Sequence, residues 1–217
     1  MTSIVLVHGQ WHDPGHFDLV AAPLRDSGAV VVVPELHRGS LAADTAAVQA
    51  VVDDLHEKPV VLGHSYGGSV ITGLTGAAHL VYLAAFVPDE GESAASLGRS
   101  THLIGPAVIP LEDGSTRLDL AMVTQAMYEG CEPERVTWAL ALLRPQGPGC
   151  GRGVPARQAW HDTPSTYVVC SHDRAVDPDL QRKMALRCET TLTWNCGHSP
   201  FVTDPELVID LLRDIRS

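Results

Sequence analysis

The residues with the clearest chemical potential are Gly63-His64-Ser65-Tyr66-Gly67-Gly68. They follow the short apolar run Val60-Val61-Leu62 and precede a segment with Val70, Ile71 and Leu74 at helical spacing. A strand, a Gly-x-Ser-x-Gly turn and a helix, in that order, make a nucleophile elbow. The turn is so tight that the residues two before and two after the Ser must be small. Its hydroxyl then projects beside a helix N-terminus, where the dipole favours developing negative charge. Such a Ser needs a base, and an acid to orient the base. In chains with this elbow the order is Ser, acid, His. His198, in Asn195-Cys196-Gly197-His198-Ser199-Pro200-Phe201, is the candidate base. Asp173, just after the run Tyr167–Cys170, is the candidate acid, and Asp89 is held in reserve. His79, His102, His161 and His172 are read as structural or peripheral, and Asp177 as a helix N-cap ahead of Pro178. The oxyanion donors are expected to be the backbone amides of Tyr66 and Gln10, the latter in His8-Gly9-Gln10-Trp11-His12 after the first apolar run. His8, His12 and His16 are four residues apart, but Pro14 and Gly15 break a helix there, so no metal site is expected.

These residues need a scaffold. Ile4–Val7, Ala29–Val33, Val60–Leu62, Leu80–Ala85, Tyr167–Cys170 and Thr190–Trp194 are short runs that suit a parallel sheet covered on both faces. Between them, Phe17–Asp26, Leu41–Leu55, Asp179–Leu186 and Pro205–Ile215 have helical periodicity. The alternation predicts a three-layer α/β fold with about six mostly parallel strands. Residues 1–87 and 160–217 form the expected core. Residues 88–159 break the rhythm and are expected to form a helical lid without strands, with helices at Leu118–Tyr128 and Pro133–Leu143. Its apolar residues Leu120, Met122, Val123, Met127, Trp138 and Leu142 are candidates to face a substrate. Four Gly and one Pro in Gly147–Gly153 predict its most mobile part, which makes Cys150 the most accessible thiol and Cys170 a buried one.

Composition narrows the partners. The 217 residues are 45% hydrophobic and 19% charged, with a formal net charge of −11, which fits a globular chain and disfavours nucleic-acid binding. No apolar run reaches the ~18 residues of a membrane span, so no membrane partner is expected. Five cysteines, an odd number, and an N-terminus without a signal-peptide pattern predict a cytoplasmic, reduced protein. No cofactor is expected. A homodimer is left open.

The chain resembles the α/β-hydrolase superfamily, and within it the compact branch of plant hydroxynitrile lyases, plant methylesterases and their bacterial homologues. The resemblance rests on Val5-Leu6-Val7-His8-Gly9, Gly63–Gly68, Ser165–Cys170 with Asp173, and Gly197-His198-Ser199-Pro200-Phe201. Cys131-Glu132-Pro133-Glu134 and Leu143-Arg144-Pro145-Gln146 resemble the bacterial members, whereas Gly147–Arg157 has no counterpart. The resemblance implies a Ser65–His198–Asp173 triad and a pocket between core and lid. Gly9, Trp11, His12, Met127 and Trp138 are its candidate lining. The similar lyases carry a Lys after the catalytic His and a Thr after the first-strand His. This chain has Ser199 and Gly9, which favours hydrolysis of a small to medium hydrophobic ester over cyanide release. A lyase and a non-catalytic ligand binder are the alternatives.

Overall fold

The computed structural model describes residues 3–98 and 104–215. His102 lies outside the described residues. Six strands form one parallel sheet: β1 (Ser3–Val7), β2 (Val30–Val32), β3 (Val60–His64), β4 (His79–Leu83), then β7 (Ser165–Cys170) and β8 (Thr190–Trp194), in the order β2-β1-β3-β4-β7-β8. Side chains alternate between the two faces of a strand, and both faces are covered. Ile4, Leu6, Leu62, Val81, Leu83 and Val168 point to one layer, which holds helices α1 (Asp18–Asp26), α9 (Pro200–Thr203) and α10 (Pro205–Ile215). Val5, Val7, Val61, Leu80, Tyr82 and Val169 point to the other, with α2 (Leu41–Asp54), α3 (Tyr66–Thr72) and α8 (Pro178–Ala185). The edge strands differ from the continuous apolar reading: β8 is largely exposed, and the exposed side of β2 includes Val30. Helix starts follow their caps. The Ser40 hydroxyl accepts from Ala43 N, and Asp177 accepts from Asp179 N ahead of Pro178.

The 88–159 segment corrects two expectations. It contains strands, not helices alone. Between α4 (Ala94–Leu97), α5 (Ile104–Ala107) and the helices α6 (Leu120–Met127) and α7 (Pro133–Ala141) lies an antiparallel hairpin, β5 (Val108–Pro110) with β6 (Thr116–Leu118). Three residues per strand are too few to show a period-2 pattern. The hairpin extends through a bridge from Thr116 to Gln146. The glycine-rich tract is also not a loose loop. Residues Cys150–Arg152 form a 3₁₀ turn, and Cys150 is 1% exposed. A Cβ on Gly147 would collide with the Arg38 carbonyl, and one on Gly153 with Leu41. Here glycine permits close backbone packing rather than motion. Cys170 is buried as expected, while Cys131, Cys188 and Cys196 are half-buried free thiols. Maleimide is therefore expected to modify one of these three before Cys150 or Cys170. First labelling at Cys150, followed by peptide mapping, would show that the tract opens. No helix among the described residues is long and apolar enough to cross a membrane.

Candidate active site

Ser65 directly follows β3 at the carboxyl edge of the sheet and caps α3, with φ 54° and ψ −122°. A non-glycine residue there is strained, by roughly 1–3 kcal/mol, and needs its surroundings to hold it. Ser65 N donates to Leu83 O (3.2 Å), while Ser65 O accepts from Gly68 N and Phe86 N (3.0 Å each). The glycines explain why the turn closes. A Cβ on Gly63 would meet Gly67 O at 2.6 Å, one on Gly67 would meet Val7 O at 2.5 Å, and one on Gly68 would collide with Phe86 O. Gly9 lies against the same turn, where a Cβ would sit 3.0 Å from Ser65 Cβ.

His198 and Asp173 come from the loops after β8 and β7, at the same sheet edge as Ser65, because parallel strands share their carboxyl ends. His198 Nδ1 donates to Asp173 Oδ2 at 2.7 Å, with both side chains fully buried. Asp173 Oδ1 accepts from the amides of Ala175 (2.7 Å) and Val176 (2.9 Å). Gln181, at the start of the buried face of α8, donates from Nε2 to Asp173 Oδ2 (2.7 Å) and to Val176 O, while its Oε1 accepts from Cys170 N. Sequence reasoning passed over Gln181. The signal was a polar residue at the helical spacing of the buried Met184 and Ala185.

The other ring nitrogen, His198 Nε2, is buried and unpartnered among the described residues, so no bond to Ser65 Oγ is formed here. Such contacts are often loose without substrate. Ser65 and His198 line one cavity of about 500 Å³, together with Gln10, Trp11, Met127 and the 146–152 tract. Tyr66 opens α3, and its phenol donates to the buried Asp44 (2.7 Å). Burial and that carboxylate push the phenol pKa up.

The remaining candidates are placed as follows. Gly9, His12 and Trp138 do not line the cavity, and neither does the Tyr66 side chain, whose phenol is turned to Asp44, although its amide is the next backbone N–H after the cavity-lining Ser65. His12 is buried and shares a hydrogen bond with the Tyr128 hydroxyl (2.9 Å). Trp138 packs on His16, and His16 Nε2 donates to Ala139 O (2.9 Å). Trp11 lies in left-handed backbone (φ 60°) and donates through N to Gln146 Oε1 and through Nε1 to Thr116 Oγ1. The loop after β1 thus ties the core to the 88–159 segment. Asp89 accepts from Glu90 N and has no bond to His198. His79 bonds Thr166, and His161 stacks on Trp160. His64 Nε2 donates to His198 O (2.9 Å), and its ring lies 4.5 Å from the His198 ring. Burial first, then the neighbouring His198, hold the His64 pKa well below the usual value, so it stays neutral. Among the described residues no group of three His, Cys, Asp or Glu forms a metal site.

A family model described as the alpha/beta hydrolase family matches residues 4–211. The chain belongs to that family. It is 28% identical to an alpha/beta hydrolase of Aspergillus novofumigatus, over 98% of this chain and 95% of the relative. It is 24% identical to methylesterase 10 of Arabidopsis thaliana, over 98% of this chain and 91% of the relative. A pyrethroid hydrolase from Sphingobium faniae shares the fold, with a TM-score of 0.85 at 20% identity over 99% of this chain and 96% of the other. The α/β-hydrolase fold and the likeness to the methylesterase branch are thereby shown.

Proposed function

We propose that this protein is a serine carboxylesterase working through an acyl-enzyme. The observation that carries the reading is the buried 2.7 Å His198–Asp173 pair, whose free Nε2 shares a cavity with the strained Ser65. Relatives named as a methylesterase and a pyrethroid hydrolase support it. The enzyme is a carboxylic ester hydrolase. Ser65 Oγ attacks the ester carbonyl carbon while His198 Nε2 takes its proton. The tetrahedral oxyanion accepts from the Gln10 and Tyr66 amides. The protonated His198, held in one tautomer by Asp173, then gives the proton to the leaving alcohol. Water, deprotonated by His198, attacks the acyl-enzyme and releases the acid and Ser65. The 88–159 segment acts as a lid that shields the cavity from bulk solvent and leaves room for the one water that deacylation consumes.

A cavity of about 500 Å³ suits a small or medium ester. Across p-nitrophenyl esters from acetate to octanoate, kcat/KM is expected to rise with acyl length and then fall where the chain outgrows the cavity. Turnover of no ester above that of Ser65→Ala would overturn the reading.

Gln181 positions Asp173 in this scheme. Hydrogen bonds to charged groups contribute about 1.5–3 kcal/mol. Gln181→Leu is therefore expected to lower kcat by about 10- to 100-fold with KM changed little. Gln181→Glu regains a donor only when protonated, so its kcat relative to the wild type's at the same pH should rise as pH is lowered. Both variants keeping wild-type kcat would reduce Gln181 to packing.

A further inference from the structure

The ester carbonyl of the proposed substrate is already provided with donors by Gln10 and Tyr66, yet the cavity holds three more hydrogen-bond donors on its 88–159 wall. Gln146 lines the cavity and is 2% exposed. Its Oε1 accepts from Trp11 N, but its Nε2 makes no hydrogen bond among the described residues. The nearby Cys150 thiol is a weak acceptor. A buried amide left this way costs about 1–3 kcal/mol, which a ligand acceptor would recover. Thr116 Oγ1 accepts from Trp11 Nε1, so its own hydroxyl hydrogen is available to donate. Arg152 is the third, and it makes no ion pair with any described carboxylate. No Asp or Glu lines the cavity among the described residues, so Arg152 is its one permanently charged lining residue there. The backbone that carries it is fixed. Arg152 ends the 3₁₀ turn Cys150–Arg152, which the buried Cys150 and the close-packed Gly147 and Gly153 pin to the core. The chain as a whole carries −11, so an anion gains nothing from the general surface and would be recognised locally.

The geometry points to a carboxylate-bearing ester, such as the monoester of a dicarboxylic acid, as the substrate class, with Arg152, Gln146 and Thr116 receiving the free carboxylate. A planar guanidinium fork and a flanking amide match a carboxylate's two oxygens better than they match a neutral chain end. This rests on the esterase reading for the reacting ester, and it replaces the expectation of a purely hydrophobic substrate.

The test compares monomethyl adipate with dimethyl adipate by methanol release. The wild type is expected to favour the monoester by at least ~10-fold in kcat/KM, the scale of one charge-assisted hydrogen bond. Arg152→Gln should lower the monoester-to-diester ratio by at least ~10-fold, and Arg152→Lys should lower it less. Arg152 is exposed, so these variants are expected to fold. Calorimetry of the two compounds on Ser65→Ala separates binding from turnover. There the monoester should bind more tightly, and the added Arg152→Gln change should erase the difference. Equal binding of both, binding of neither, or an Arg152→Gln effect of the same size on both would overturn the inference. If Ser65→Ala turned over esters like the wild type while the Arg152-dependent preference persisted, the esterase mechanism would fall and this site would stand.

Discussion

Ser65→Ala is expected to fold normally and to lose at least ~10³-fold of ester turnover, the scale of losing a triad nucleophile. Alanine removes only the hydroxyl, and the backbone bonds from Leu83, Gly68 and Phe86 that hold the turn stay in place. The φ of 54° costs an alanine about what it costs a serine. Asp173→Asn should fall almost as far, because an amide that donates where the carboxylate accepted leaves His198 in the wrong tautomer. The loss should be compounded by the Ala175 and Val176 amides and Gln181, which are arranged to meet a carboxylate. Asp89→Asn should change turnover little, since Asp89 is occupied with Glu90 N. Steady-state rates of the three purified variants check this, and a larger loss for Asp89→Asn than for Asp173→Asn would move the acid to the loop after β4.

The second large effect is on stability in acid. His8, His12 and His64 are buried and neutral. Burial, as the largest cause, lowers the His8 pKa to about 3, and holds those of His12 and His64 well below the usual value. The His12 and His64 rings lie against each other, with centroids 5.4 Å apart and Phe201 against both. Unfolded, each takes up a proton near pH 6.5. The unfolded chain then binds more protons than the folded one, so the stability these groups allow is full above pH 6.5 and is lost as pH falls below it. One titrating group contributes about 1.4 kcal/mol per pH unit, so the three together contribute about 4 kcal/mol per unit. Against a total of about 5–15 kcal/mol, that slope predicts acid unfolding between about pH 5 and about pH 3. Urea unfolding at pH 7.5, 6.0 and 5.0 checks it. His8→Gln should flatten the dependence by about 1.4 kcal/mol per unit if it folds, and a flat wild-type profile from pH 7.5 to 5 would refute the account.

The parts legible in the sequence were those fixed by local chemistry. The elbow at Ser65 needs small neighbours at fixed offsets, and the strands that carry it are continuous β-branched runs. The same logic put Thr190–Trp194 and Pro205–Ile215 at their observed limits. What stayed hidden depends on contacts between distant segments. Nothing near Gly147 in the chain says that Arg38 packs on it, so four glycines looked like mobility. The β5–β6 hairpin is too short to show a period. His12 reads as a pocket residue beside Gly9 until the Tyr128 hydroxyl is found on its ring, and Gln181 gains meaning only once Asp173 lies 2.7 Å away.

The claim that Ser65 is the nucleophile of an acyl-transfer site is tested most directly by covalent trapping. A dialkyl fluorophosphate transfers its phosphoryl group to an activated serine oxygen and releases fluoride. The account predicts one adduct per chain by intact mass, mapped to Ser65, absent in Ser65→Ala and formed far more slowly in Asp173→Asn. An adduct on another residue, or labelling of Ser65→Ala at the wild-type rate, would contradict it.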